Sequence, residues 1–385
     1  MPSEYVDDLV ARTRSFIRES VLPLDDAHDG NIAAAGADAV RVALQSAARQ
    51  AGIFAPHAPT DLGGLGLGMV DRAPVFEEAG YSLFGPLALN IAAPDEGNVH
   101  LLDHLATPAQ RERYLAPLAR GEQRSAFAMT EPAPGAGSDP SALATTATKV
   151  DGGWLVNGEK HFITGADGAH FFIIMARTGE DATMLLAPAD RDGLKVGRHM
   201  KSLDTSMIGG HCEVSFTDAF VPDEDVLGEV GRGFAGAQIR LGPARMTHVM
   251  RWLGAARRAH EVAVAHVAGR DAFGTKLADL GMIQQMVADN EIDLAATRAL
   301  LMEACRALDE GGRASKETSI AKTFAGEALH RIADRSVQMC GGLGTTHDLP
   351  VAKIAREIRP FRIYDGPSEV HRWSLARRAV REITR

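Results

Sequence analysis

The sequence predicts an α+β chain of several domains: an N-terminal all-α domain, a middle β-barrel or β-sandwich domain, and a C-terminal four-helix bundle. Three observations carry this expectation. Apolar residues recur at helical spacing through the first third, and short apolar runs broken by turn dipeptides follow. The helical period then returns and lasts to the end. Placing the boundaries where the texture changes gives domains at 1–123, 124–230 and 231–385.

In the first domain Val6, Leu9, Val10, Thr13, Phe16 and Ile17 recur on one helical face. Pro59-Thr-Asp-Leu-Gly-Gly-Leu-Gly-Leu-Gly68 interrupts the helices as a glycine-rich loop. In the second, the runs Trp154 to Val156, Phe171 to Ala176, Met184 to Ala187 and Val214 to Phe216 read as strands. Asp151-Gly-Gly153, Asn157-Gly158, Asp192-Gly193 and Pro222 read as turn signals between them. In the third, Ile283, Met286, Val287 and Leu294 form one stripe that Leu301, Cys305 and Leu308 extend. Helical segments near 236–270, 278–310, 315–340 and 368–383 suggest the bundle. There are no internal repeats and no low-complexity tracts.

Bulk properties narrow the class. The 385 residues are 45% hydrophobic and 24% charged, ordinary for a soluble globular protein. A net charge of −9 gives no footprint for nucleic acid or an anionic membrane. The basic run from Arg377 to Arg385 reads as a solvated helix face. Cys212, Cys305 and Cys340 are an odd set without disulfide or metal-ligand spacing, so buried thiols are expected and no metal. No apolar run approaches the roughly 20 residues that span a bilayer. Glu4, Asp7 and Asp8 argue against a targeting segment, so a cytoplasmic protein is expected.

Three motifs stand out. Ile363-Tyr-Asp-Gly-Pro-Ser-Glu-Val-His-Arg372 places one carboxylate, Asp365, at a sharp turn before the final helix. Upstream lie Gln338-Met-Cys-Gly-Gly-Leu-Gly344 and Met129-Thr-Glu-Pro132 with Gly135-Ala-Gly-Ser-Asp139. Together they resemble the acyl-CoA dehydrogenase family, flavoenzymes that remove two hydrogens from acyl thioesters. Such a reaction needs a base for the α-proton, an acceptor for the β-hydride and stabilisation of charge on the carbonyl oxygen. Side chains cannot accept hydride, so a cofactor is required. The chain lacks a Gly-x-Gly-x-x-Gly element between strand and helix, which argues against a nicotinamide-binding unit. FAD is therefore implied by the resemblance alone.

The same resemblance assigns the cofactor residues. Phe127 lies on the strand edge that packs on the flavin ring, and the main chain at Met129 and Thr130 bonds its pyrimidine side. Ser138 matches a serine near the diphosphate and the thioester, behind a loop longer here than in common members. Lys160-His-Phe-Ile-Thr-Gly165 resembles Lys-x-Trp-Ile-Thr-Asn, so Phe162 replaces a tryptophan and keeps an aromatic face. Thr164 matches the hydroxyl donor to flavin N5/O4, and Ile163 lies between them. Arg270-Asp-Ala-Phe-Gly274 resembles a segment whose arginine reaches the diphosphate held by a neighbouring subunit, with Phe273 beside the adenosine. Gln338, Gly341 and Gly342 fit the glycine-rich helix end that contacts that FAD. Pro367, Ser368 and Glu369 complete the set. A cofactor shared across an interface implies a homo-oligomer, a tetramer or a dimer.

Asp365 stands where the family keeps its base, usually Glu. An isolated Asp-Gly-Pro-Ser reads as a helix-capping turn; the surrounding match reverses that reading. Desolvation beside flavin and acyl chain is expected to raise its pKa. Gly366 joins it at the thioester, and Arg245 matches an arginine near the acyl-CoA. Gly242 takes the place of an acidic or amide residue of many members. Ala244 occupies the position from which some members supply their base, so no carboxylate competes. Leu241-Gly-Pro-Ala-Arg245, Ala93-Pro-Asp-Glu-Gly-Asn98 and Asp365-Gly-Pro-Ser-Glu-Val-His371 are closest to the branch whose eukaryotic members are often fused to a phosphotransferase-like domain. The resemblance implies FAD-dependent dehydrogenation to a trans-2-enoyl-CoA, with electrons passed to an electron-transfer flavoprotein. A flavin oxidase on the same scaffold (nitroalkane or acyl-CoA) and a non-catalytic partner subunit remain the alternatives.

Overall fold

A computed structural model of the chain describes residues 4–384. These residues divide into two compact units. Residues up to 35, Leu67–Ala88 and the chain from Gly242 form the helical unit, and Gly36–Gly66 with Leu89–Leu241 form the unit that holds the sheet.

In the helical unit, the helix Glu4–Phe16 buries Val6, Leu9, Thr13 and Phe16, and Ile17 just beyond it is buried too, so five of the six residues expected on the inner face are buried. The helices Gly233–Gly269, Gly281–Asp309, Ser315–Met339 and Ser368–Ile383 lie within a few residues of the expected segments. The helix Gly281–Asp309 buries Leu294, Leu301 and Cys305, while Ile283, Met286 and Val287 stay half-exposed. A further helix, Val351–Ile358, was not anticipated. It follows Pro350 and gives way to a short 3-10 turn at Arg359-Pro360, so it is too short for a periodicity argument.

Two glycines allow a backbone-on-backbone approach here. A Cβ on Gly254 would lie 2.0 Å from the carbonyl oxygen of Glu77, and one on Gly80 would lie 2.0 Å from that of Arg251. The helices Met69–Ala79 and Gly233–Gly269 therefore touch along main chain from Gly242 onward. A buried polar knot adds direction to this apolar packing. Asp25, fully buried, accepts from Ser82 Oγ, the Leu83 N–H and Arg258, and lies 3.2 Å from Lys353 Nζ. Every oxygen of the carboxylate is used, as burial of a charge requires.

The other unit is built on one continuous sheet. Its strands are β1 (Ser125–Ala128), β2 (Thr146–Val150), β3 (Gly153–Thr164), β4 (Phe171–Thr178), β5 (Asp181–Pro188), β6 (Leu194–His199), β7 (His211–Pro222) and β8 (Val226–Leu227). The order is β6-β7-β3-β2-β4-β5-β8, with β1 parallel to β4. β4 is apolar on both faces, and Phe171 to Ala176 are all buried. Trp154, Val156, Cys212, Val214, Phe216 and Val221 fill the core beside it. Asn157-Gly158 corrects the sequence reading. It is not a turn but a bulge inside β3, where the register against β7 slips between Val156 and Gly158. A second slip separates Lys160 from Ile163. These irregularities re-aim the end of β3, which carries Phe162 and Thr164.

Candidate active site

In the helical unit the acidic corner is held from all sides. Asp365 adopts a left-handed backbone at φ 55° and Gly366 follows at φ 95°. Asp tolerates that region better than most residues, though at a cost of about 1 kcal/mol. A side chain on Gly366 would put its Cβ 2.7 Å from His371 Nε2, so the glycine is sterically required.

Cationic and ring donors lock the turn. Arg245 Nε donates to the Asp365 carbonyl at 2.8 Å, and His371 Nε2 reaches the same oxygen at 3.3 Å. Lys322 Nζ donates to the Gly366 carbonyl at 2.5 Å. Ser319 Oγ sits 3.1 Å from His371 Nδ1, so His371 fits as a neutral ring with its proton on Nε2. Burial, with Arg245 and Lys322 nearby, pushes His371 down to about 4. Burial likewise pulls the Lys322 ammonium down to about 8, against the opposing pull of Asp365.

The side chain of Asp365 is left poised. Its Oδ2 is buried and makes no hydrogen bond, although His248 Nε2 stands 3.4 Å away. His248 is itself fixed, because Arg251 donates to its Nδ1 at 2.9 Å. The Tyr364 ring packs tilted against the His248 ring at 4.9 Å between centroids, and Trp252 Nε1 donates to the Tyr364 hydroxyl. The helix Ser368–Ile383 has Pro367 at its N-cap with no side-chain cap bond. Asp365 is therefore not a capping residue. A buried, unbonded carboxylate oxygen is costly, and it is the form a proton acceptor needs.

In the sheet unit a second buried assembly shapes the edge after β1. Lys160 Nζ donates to Glu131 Oε1 at 2.8 Å and to the carbonyls of Met129 and Met175. Glu131 also accepts the N–H groups of Ala136, Ala144 and Thr145. Burial opposes the Glu131 charge, but Lys160 and these donors hold its carboxyl down to about 2. The pair thus ties Met129-Thr-Glu-Pro132 to β3 and to the loop beyond Gly135. The carbonyls of Met129 and Thr130 are taken by Lys160 and by the His161 N–H; their own N–H groups stay out of those bonds.

Phe162 stands 52% exposed at φ 53°. A large aromatic held bare in that backbone region is strained and unpaid by packing, which suits a ligand-facing role. Thr164 ends β3 and is half-buried. Ile163, between them, sends its side chain into the sheet core at 1% exposure, so only its main chain faces outward. The Phe127 ring lies under the Arg240 guanidinium, 4.4 Å from its centroid. Ser138 is exposed on its loop.

The remaining expected residues are placed as follows. Arg270, Gln338, Gly341, Gly342 and Glu369 are exposed, and Phe273 is 91% exposed at a two-stranded hairpin. Pro367 is half-buried and Ser368 is buried at 1%. Gly242 is buried, yet a Cβ there would meet nothing nearer than 3.9 Å, so packing does not demand glycine. Arg245 spends its Nε on the Asp365 turn. Sequence reasoning missed His248, Lys322 and His371. A lysine inside the apolar face of the helix Ser315–Met339 was the one available signal, since lysine is rarely fully buried unless paired.

Comparison with known proteins places these features in context. The acyl-CoA dehydrogenase N-terminal, middle and C-terminal domain models match residues 3–122, 126–219 and 231–380. The chain is 36% identical over 386 residues to the probable acyl-CoA dehydrogenase FadE2 of Mycobacterium tuberculosis, covering 96% of this chain and 94% of that protein. It is 32% identical to mouse acyl-CoA dehydrogenase family member 11 over 98% of its length, and spans about half (51%) of that relative. A solved Mycobacterium abscessus structure assigned to the acyl-CoA dehydrogenases superposes with a TM-score of 0.91 at 34% identity, covering both chains completely.

Proposed function

The chain belongs to the acyl-CoA dehydrogenase family of FAD-dependent oxidoreductases, and from that premise we propose that it converts an acyl-CoA to a trans-2-enoyl-CoA with Asp365 as the base. The observation that carries this reading is the buried, unbonded Oδ2 of Asp365 in a turn pinned by Arg245, Lys322 and His371.

The residues fit the cofactor. The exposed Phe162 offers an aromatic face, the Met129-Thr130 edge offers main-chain donors, and Thr164 offers a hydroxyl, which we assign to flavin N5. When bound, FAD supplies the acceptor for the β-hydride. Asp365 Oδ2 takes the α-proton, and the electron pair of that C–H bond forms the new Cα=Cβ bond as the β-hydrogen leaves with its own pair. The Asp365 N–H, turned by the left-handed backbone, donates to the thioester carbonyl and stabilises charge there.

Asp is one methylene shorter than Glu, and a misplacement of about 1 Å can cost about a hundredfold in rate. The locked turn is a physical answer to that problem, since a short base must be held rigidly. Gly242, buried where packing would admit a side chain, leaves room that the substrate takes up. The hairpin Phe273 is the kind of anchor that another subunit covers. The exposure of Arg270, Gln338, Gly341 and Gly342 supports a homo-oligomer sharing FAD, and the family resemblance adds an electron-transfer flavoprotein as acceptor to the proposal. Among the described residues no helix is long and apolar enough to cross a membrane.

Anaerobic titration of the FAD-loaded protein with straight, branched and alicyclic acyl-CoAs tests this directly. At least one class should bleach the flavin band. A yellow protein that none of them bleaches overturns the reading.

A further inference from the structure

Three residues outside the proton-abstracting corner form a continuous hydrogen-bonded line in the sheet unit. Asp204 Oδ2 lies 2.9 Å from His211 Nε2, and His211 Nδ1 lies 2.9 Å from Thr164 Oγ1. Ser202 Oγ donates to Asp204 Oδ1 at 2.5 Å, which fixes the far end. The line is built in. Thr164 and His211 are register partners where β3 meets β7, and Met200 N–H donates to the His211 carbonyl. Asp204 is 8% exposed, so its carboxylate spends its second oxygen on the ring and not on water.

With His211 taken as the neutral ring, the chemistry of its partners sets the direction of each bond. An ionised carboxylate only accepts, so His211 carries its proton on Nε2. In the neutral ring Nδ1 then has no proton and must accept, and the Thr164 hydroxyl donates inward to it. The outward side of Thr164 Oγ1 is thereby left with lone pairs alone. A hydroxyl usually rotates to suit its partner; this one is denied that freedom.

We propose that Asp204 and His211 are positioning residues that set the polarity of the Thr164 hydroxyl, so that Thr164 presents a hydrogen-bond acceptor to the cofactor. The inference rests on the assignment of Thr164 to flavin N5 made above, and it reverses the donor role that the resemblance implies for that hydroxyl. An acceptor there suits the reduced ring, whose N5 bears a proton, and offers nothing to the oxidised ring, whose N5 has a lone pair. Asp204 and His211 therefore favour the reduced state without touching the substrate. A purely structural role would brace the loop before β7 and leave that balance unchanged.

The test is the two-electron reduction potential of the FAD-loaded protein without substrate, measured against a reference dye. Asp204→Asn is nearly isosteric. With Ser202 holding the amide oxygen, the amide NH2 faces His211, shifts the ring proton to Nδ1 and turns the Thr164 hydroxyl outward. The reduction equilibrium constant should fall about thirtyfold, since one bond of about 1 kcal/mol is lost from the reduced state and one gained by the oxidised state. His211→Phe and Thr164→Val should each lower it about fivefold, and Asp204→Asn should change nothing once Thr164→Val is present. Asp204→Asn and His211→Phe proteins that hold FAD yet reduce at the wild-type potential overturn the polarity claim alone. A wild-type protein that takes up no FAD overturns the cofactor reading beneath it, and this inference with it.

Discussion

His248 Nε2 stands 3.4 Å from Asp365 Oδ2, and Arg251 decides which ring nitrogen bears the proton there. Arginine never gives up its charge in a protein. Its bond to Nδ1 therefore makes that nitrogen an acceptor and leaves Nε2–H beside Oδ2 but outside hydrogen-bond geometry with it. His248→Leu should lower the rate of flavin bleaching by acyl-CoA about tenfold, with little change in KM, and His248→Gln should recover most of it through its amide donor. Stopped-flow absorbance checks this. A His248→Leu protein that bleaches at the wild-type rate removes His248 from the mechanism.

Asp365 itself should be far more sensitive. Asp365→Asn keeps the shape of the corner and abolishes the basic oxygen, so bleaching by acyl-CoA should fall by at least about a hundredfold. Chemical reduction of the same flavin with dithionite should remain normal. Asp365→Glu should retain part of the activity, with its preferred acyl length shifted by the added methylene. The two half-reactions separate a lost base from a lost cofactor. An Asn variant that still bleaches with acyl-CoA moves the base elsewhere.

The sequence made the α–β–α order legible because the apolar period changes at two visible points, and Leu294, Leu301 and Cys305 are buried as their stripe required. It was misleading at Asn157-Gly158, where a dipeptide that ordinarily ends a strand lies inside β3. A bulge and a turn use the same residue types, and only the pairing partner tells them apart. Asp365 could be found because its turn chemistry is local, a run of neighbours. His248, Lys322 and His371 meet that turn from three helices whose mutual placement no local pattern encodes. The Thr164–His211–Asp204 line was hidden for the same reason: its members are 47 and 7 positions apart.

His371 gives the corner an acid limit. Its folded value of about 4 lies below the usual 6.5, so the unfolded chain takes up a proton first as pH falls. Stability is therefore lost progressively from about pH 6.5 down to 4, and the loss levels off below that. With solvent screening, the effect should be about 2 kcal/mol. His371→Gln keeps a donor for the Asp365 carbonyl but cannot titrate, so its urea midpoint should fall less steeply over that window. Parallel curves for the two proteins rule the histidine out as the source.

Lys160 and Glu131 offer the sharpest test of how the flavin edge is held. Their side chains are 0% and 1% exposed, so removing one partner strands the other charge away from water. Glu131→Gln should cost about 3 kcal/mol of stability and weaken FAD retention, because the Met129-Thr130 edge loses its anchor. Lys160→Met alone should do comparable harm. The double variant should recover much of the loss, since two neutral groups no longer leave an unpaired ion. The acid response supplies a second readout. With the Glu131 carboxyl held at about 2 against an ordinary 4.5, the unfolded chain is protonated first, so the pair's contribution is whole above about pH 4.5 and is lost as pH falls toward 2. Glu131→Gln should lack that part of the acid slope. If urea unfolding shows the double variant no more stable than the worse single one, the ion pair is not what holds this edge.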